Sequence, residues 1–125
     1  MTDRITLTMP RERPYFGVAR LVLGGLAARL DVTVESLDEL ELALDGLLER
    51  HDGAEEITVA LEVDGDVLHT KVGPYRDRMI RGELEGEPGE SMSLRRLLDA
   101  VVDRYEIADG DGGVWVDLQK RFERT

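Results

Sequence analysis

Two runs of strict alternation meet at one tight turn, and that pair constrains the fold more than any other feature of the chain. Ile57, Val59, Leu61 and Val63 alternate with Glu56, Thr58, Ala60 and Glu62. Leu68, Thr70 and Val72 continue the pattern after Asp64-Gly65-Asp66. A period of two sends successive side chains to opposite faces. A short turn containing glycine between two such runs closes an antiparallel hairpin. The chain therefore builds a sheet with one apolar face, and that face needs a second layer to cover it.

The remaining elements follow from their own periodicities. Ile5, Leu7 and Met9 alternate with Arg4, Thr6 and Thr8 in a strand that ends at Pro10. Pro14 suits the first turn of a helix, and Tyr15 to Leu30 continue it. Thr33 caps a second helix, Val34 to Arg50, with Ser36 a rival cap. Leu37, Leu40, Leu44, Leu47 and Leu48 form its apolar stripe. His51-Asp52-Gly53 ends that helix. Gly73-Pro74 breaks the returning strand of the hairpin, and Pro74 to Met92 reads as a long loop. Ser93 caps a third helix, with Leu94, Leu97, Leu98, Val101 and Val102 on its apolar face. Tyr105 to Ala108 and Val114 to Lys120 are two more strands around a turn at Asp109 to Gly113. Val114, Val116 and Leu118 lie on one side of the last strand, with Trp115 and Asp117 on the other. Trp115 either covers the helices or marks an interface. The expected fold is an α/β two-layer sandwich: a mixed, mostly antiparallel sheet with three helices on one face, all in a single domain over residues 1–125.

The first helix is apolar over more surface than one sheet needs to cover. Tyr15, Val18, Val22 and Leu26 make one stripe, and Phe16, Ala19, Leu23, Ala27 and Leu30 make another beside it. Gly24 and Gly25 weaken the helix locally and would let a second backbone approach. Either the helix is sandwiched between elements of its own fold, or the surplus is a protein-binding surface at Phe16, Ala19, Leu23 and Ala27, most simply a homodimer contact.

Charge narrows the function classes. The chain carries a net charge of -11, and between Asp31 and Asp66 the single base is Arg50. Such a chain is a poor binder of phosphate backbones, so no nucleic-acid partner is expected. The acidic run reads as a solvated helix face, with a surface that steers a basic protein partner as the alternative. Cysteine is absent, which removes disulfides, thiolate metal sites and thiol catalysis. Met1 to Pro10 lack a signal-peptide pattern, and the longest apolar stretch, Val18 to Leu30, is interrupted by Arg20 and Arg29. The expected location is the cytoplasm, with no membrane partner. His51 and His69, the two histidines, stand apart in sequence, and no metal site is expected. Asp64-Gly65-Asp66 and Asp109-Gly110-Asp111-Gly112 are faintly like calcium loops but lack the spacing and terminal Glu, and they read as turns.

The order of elements and the text at both ends resemble the anti-sigma-factor (serine kinase) branch of the histidine-kinase-like ATPases, which share a fold with the gyrase and heat-shock chaperone ATPase domains. The matching text begins with Ile5-Thr6-Leu7-Thr8-Met9-Pro10, then Val18-Ala19-Arg20 and Leu26-Ala27-Ala28-Arg29-Leu30. It continues with Asp38-Glu39-Leu40-Glu41-Leu42-Ala43-Leu44 in the second helix. It closes with Ser93 through Asp103 and Gly112-Gly113-Val114-Trp115-Val116-Asp117-Leu118. The resemblance covers nearly the whole chain.

What the resemblance implies for chemistry meets departures at three places. The family's second helix carries a Glu that positions the nucleophile and, four residues on, an Asn that coordinates magnesium. The matching positions here are Gly46 and Arg50, and a guanidinium has no acceptor for a metal. Asp45 and Glu49 have the same spacing one residue earlier, a frame rotated by about 100°. An Asp that reads adenine should precede a glycine-rich turn, yet Lys71-Val72-Gly73-Pro74 has no acid. The phosphate-holding lid is reduced to Gly86-Glu87-Pro88-Gly89-Glu90-Ser91. Gly46, Arg50, Gly73, Pro74, Gly86 and Gly89 thus mark a vestigial nucleotide pocket. On this reading there are no catalytic residues, no cofactor and no enzyme. The chain would be a non-catalytic anti-sigma-type regulator that binds a sigma factor, an antagonist or a second copy of itself. The alternatives are an active ATP-dependent serine kinase and a structural dimerisation domain.

Overall fold

The computed structural model describes residues 4–50, 53–76, 80–82, 84 and 94–125. Its elements, in chain order, are β1 (Arg4–Pro10), α1 (Arg13–Arg29), α2 (Val34–Leu48), β2 (Gly53–Asp64), β3 (Val67–Tyr75), α3 (Leu94–Val101), β4 (Arg104–Gly110) and β5 (Gly113–Arg121). The five strands form one sheet in the order β1-β2-β3-β5-β4. Every pairing is antiparallel, so the expected mixture of directions resolves to a purely antiparallel sheet.

The hairpin closes where the alternation placed it. Asp64 pairs with Val67, and Gly65 takes a positive φ of 60° at the first central position, as a type II′ turn requires. β3 does not stop at Gly73-Pro74. A register shift lets it cross that pair, joined by a cis peptide bond, and reach Tyr75. The bulge absorbs the residue that cannot donate to the ladder.

One cluster of buried side chains unites the two layers. Ile57, Val59, Leu61, Val72, Val116 and Leu118 project from one side of the sheet, and they meet Phe16, Leu23, Leu44, Leu47 and Leu98 from the helices. Thr33 caps α2 by accepting a hydrogen bond from the Ser36 amide at 3.2 Å, a contact worth about 1 kcal/mol. Lys120 is buried at the edge of this core, where its Nζ donates to Glu39 at 2.5 Å and to the Val101 carbonyl at 2.8 Å. It thereby ties β5 to α2 and α3.

The expected loop from Pro74 to Met92 needs correction. Pro74 and Tyr75 belong to β3, and residues 80–82 and 84 are helical. Ile80 and Leu84 are both buried. Their i, i+4 spacing puts them on one helical face, a signal too short to register against the surrounding Gly, Glu and Arg. Ser93, with its expected cap, lies outside the described residues. No helix among the described residues is long and apolar enough to cross a membrane.

Candidate functional site

One of the six marked pocket positions, Gly46, sits on α2 and a second, Arg50, lies just beyond its end. Gly46 lies where α2 meets α3: an added Cβ would stand 2.7 Å from Leu97 Cδ2 and 3.1 Å from Leu94 Cδ1. A mid-helix glycine costs about 1 kcal/mol relative to alanine, and the close approach of α3 offsets it. Arg50 follows the end of α2, and its carbonyl accepts from Arg11 Nη1 at 3.2 Å. Arg11 also donates to the Pro74 carbonyl at 2.5 Å, and its guanidinium stacks 5.1 Å from the centroid of the Tyr75 ring. Tyr75 is fully buried and donates its hydroxyl to the Leu47 carbonyl at 2.6 Å. Arg11 and Tyr75 together pin the end of β1, the end of α2 and the bulged end of β3. Neither residue has a role in the sequence pattern; the one signal is that each directly follows a proline, Pro10 or Pro74.

Gly73 belongs to the other side of the sheet. An added Cβ there would stand 2.6 Å from Trp115 Cδ2, and Trp115 lies on the face opposite the helices. Gly46 and Gly73 therefore do not look into one cavity. Gly86 and Gly89 lie outside the described residues. The frame-shifted acid, Asp45, turns toward α1 and pairs with Arg20 at 3.2 Å. Burial raises its pKa, and Arg20 opposes the rise. Neither the glycine at 46 nor the guanidinium at 50 supplies an oxygen to magnesium. Positions 46 and 50 do not fit a magnesium–nucleotide complex held in the usual way. Among the described residues no three His, Asp or Glu side chains cluster as a metal site.

The expected protein-binding stripe is also corrected. Phe16, Ala19, Leu23 and Ala27 are all buried, Leu23 to 2% exposure. They are the face of α1 that covers the sheet, so they cannot receive a partner while the domain is folded. Leu26, from the other stripe, joins them in the core, and Val22 packs against it. The outward face carries Tyr15 and Val18, 42% and 41% exposed, and Leu21 at 77%. Gly17, Gly24 and Gly25 flank Leu21, with nothing within 4 Å of an added Cβ. They line an open concavity with Arg20 and Glu41. Leu21 belonged to neither stripe in the sequence reading. Its spacing from Gly17 and Gly24 was the signal that could have found this face.

No family profile matches the chain. Over 111 residues it is 32% identical to a serine-protein kinase RsbW of Listeria innocua, across 78% of this chain and 69% of that protein. The chain belongs to the RsbW serine-protein kinase family. A serine-protein kinase RsbW of Listeria monocytogenes is 27% identical over 121 residues, which is 97% of this chain and 58% of the relative. The chain thus spans 58% to 69% of the length of these curated relatives. The crystal structure of the RsbU and RsbW domains of Rv1364c from Mycobacterium tuberculosis shares the fold, with a TM-score of 0.72 over 98% of this chain and 33% of that one, at 19% identity.

Family membership corrects the expectation that the chain is no enzyme, because the RsbW relatives are named as serine-protein kinases. That expectation weighed three local departures above similarity that runs through every element. Local departures test only whether the usual groups stand at the usual positions.

Proposed function

We propose that this chain is a partner-switching regulator of the anti-sigma type, built on an RsbW kinase domain, which works by holding a protein partner against the outer face of α1. RsbW family membership supports the class of regulator. The observation that carries the surface is the exposure of Leu21 between glycines on a helix whose other face is already committed to the core. Exposed apolar surface of this kind marks interaction sites, and the missing Cβ atoms at Gly17 and Gly24 leave room for a partner's side chains. The partner is a sigma factor, its antagonist or a second copy of this chain. Serine phosphorylation, the activity for which the relatives are named, is the covalent step such a regulator applies to an antagonist. In this chain it requires groups other than those at positions 46 and 50.

The test is Leu21→Glu, compared with wild type by sedimentation alone and with candidate sigma factors and antagonists, alongside phosphate transfer from labelled ATP to a serine of the antagonist. The charge should abolish the complex and leave the melting temperature unchanged. A complex that survives Leu21→Glu would move the surface away from α1. Absence of both complex and transfer with every partner would refute the regulator.

A further inference from the structure

The sheet ends in two edge strands, β1 and β4, and they are built differently. β4 carries Arg104, Glu106 and Asp109 and ends at Gly110. Arg104 pairs with Glu106 at 2.7 Å, and Arg81 with Asp109 at 2.9 Å. Charges on an edge strand oppose the addition of another strand. β1 has no charge between Ile5 and Pro10.

The strand register fixes where the β1 backbone points. The β2–β3 hairpin closes on Asp64 and Val67 across a two-residue turn, so these two residues bond to each other. Alternation then turns the even-numbered residues of β2 toward β3 and the odd-numbered ones toward β1. Ile57, Val59 and Leu61 stand opposite Met9, Leu7 and Ile5. The Arg11 amide continues the series by donating to the Glu55 carbonyl at 2.7 Å. Arg4, Thr6 and Thr8, which lie in between, therefore aim their N–H and C=O groups out of the sheet. Among the described residues no strand or loop bonds to those groups.

Apolar surface lies open beside this edge. Ile5 is 36% exposed, and Leu7 is half-buried against the core. Arg20 marks the flank of α1 that faces α2, through its pairing with Asp45 at 3.2 Å. α2 is itself tied to β3 by Tyr75 and to β5 by Lys120. The opposite flank of α1 therefore overhangs β1. At about 100° per residue that flank bears Tyr15, Val18 and Val22, and Tyr15 and Val18 are exposed.

We propose that β1 pairs antiparallel with β1 of a second copy about a two-fold axis at Leu7, which joins the two sheets into one. Centred there, Thr6 stands opposite the partner's Thr8 and exchanges both backbone bonds with it. Arg4 donates to the carbonyl of the partner's Pro10, whose missing N–H leaves that pair with a single bond. Leu7 meets the partner's Leu7, and Ile5 stands opposite the partner's Met9. These side chains lie on the helix side, beneath the two α1 flanks. All seven residues of β1 take part, and any other register shortens the ladder. Glu41 and Asp45 lie beyond α1 from this axis, where distance and salt weaken the repulsion between two acidic chains. The Leu21 surface, on the α2 side of α1, stays open to a different protein.

Sedimentation of the wild-type protein should show a dimer at micromolar concentration. Thr6→Pro should raise the dissociation constant at least about tenfold, because proline removes an outward donor and leaves the β1–β2 bonds in place. Ile5→Lys, at an exposed position, should do the same. Both variants should keep the wild-type circular dichroism spectrum, and Leu21→Glu should leave the dimer intact. The chain has no cysteine, so single introduced cysteines report the register. Leu7→Cys should form a disulfide-linked dimer under mild oxidation. Thr8→Cys should not, because the two copies of position 8 are about 8 Å apart in this register. A monomer at every accessible concentration, a dimer that both β1 variants leave intact, or one that Leu21→Glu dissociates would overturn the proposal. So would cross-linking of Thr8→Cys without that of Leu7→Cys.

Discussion

Replacing Gly46 by glutamate, the residue type that the kinase family places there, should destabilise this domain substantially. The structure sets the size of the effect. The Cβ alone would stand 2.7 Å from Leu97 Cδ2 and 3.1 Å from Leu94 Cδ1, and Leu94 is 1% exposed. Forcing extra atoms into a packed contact costs about 1–3 kcal/mol. A carboxylate left among leucines adds about 2 kcal/mol or more unless it is protonated. Glycine-to-glutamate helix propensity returns about 0.5 kcal/mol. The net loss is about 3 kcal/mol, or about 12 °C of melting temperature at roughly 4 °C per kcal/mol for a domain of this size. Gly46→Ala separates the terms. It regains about 1 kcal/mol of propensity and has to shift only the side-chain ends of Leu97 and Leu94, so it should melt within a few degrees of wild type. Urea titrations with equal m-values would show that the folded state was the one affected. A Gly46→Glu protein that melts at or above the wild-type temperature would refute the tight α2–α3 contact and show that an acid at 46 has room.

Three further outcomes follow from contacts described above. Leu23→Ala should lose about 2–5 kcal/mol because the side chain is core, whereas Leu21→Ala should stay within about 0.5 kcal/mol; parallel melts decide between the two faces of α1, and equal losses would overturn their assignment. Tyr75→Phe should cost about 0.5–1.5 kcal/mol by removing the hydroxyl's bond to the Leu47 carbonyl, which keeps the Arg50 amide as a donor, measured by urea unfolding. Asp117 carries a raised pKa in the folded state, so its ionised form is disfavoured by folding. That penalty is full above the raised folded value and fades as pH falls through it toward the ordinary 3.8. Asp117→Asn should therefore stabilise the domain at neutral pH, and the gain should shrink in acid; a gain that grows as pH falls would contradict the burial of that carboxylate.

Local periodicity carried most of the fold. The alternations of Ile57–Val63 and Leu68–Val72, the Gly65 turn and the Thr33 cap are properties of neighbouring residues, because backbone geometry fixes where successive side chains point. The leucine stripe of α2 was legible for the same reason, and the apolar faces of the strands followed once one face was known to need cover. Whole-chain order was enough to point to the kinase family. Tertiary packing decided everything that depends on what lies opposite. Both stripes of α1 are apolar, and nothing local distinguishes them; the sheet takes Phe16, Ala19, Leu23 and Leu26, which leaves Tyr15, Val18 and Leu21 outside. Gly46 and Gly73 read in sequence as absences from one pocket. In the fold each is filled by a neighbour distant in sequence, Gly46 by Leu94 and Leu97 and Gly73 by Trp115, on opposite sides of the sheet. A glycine shows that a side chain is missing, but only the chain packed against it determines what takes the space.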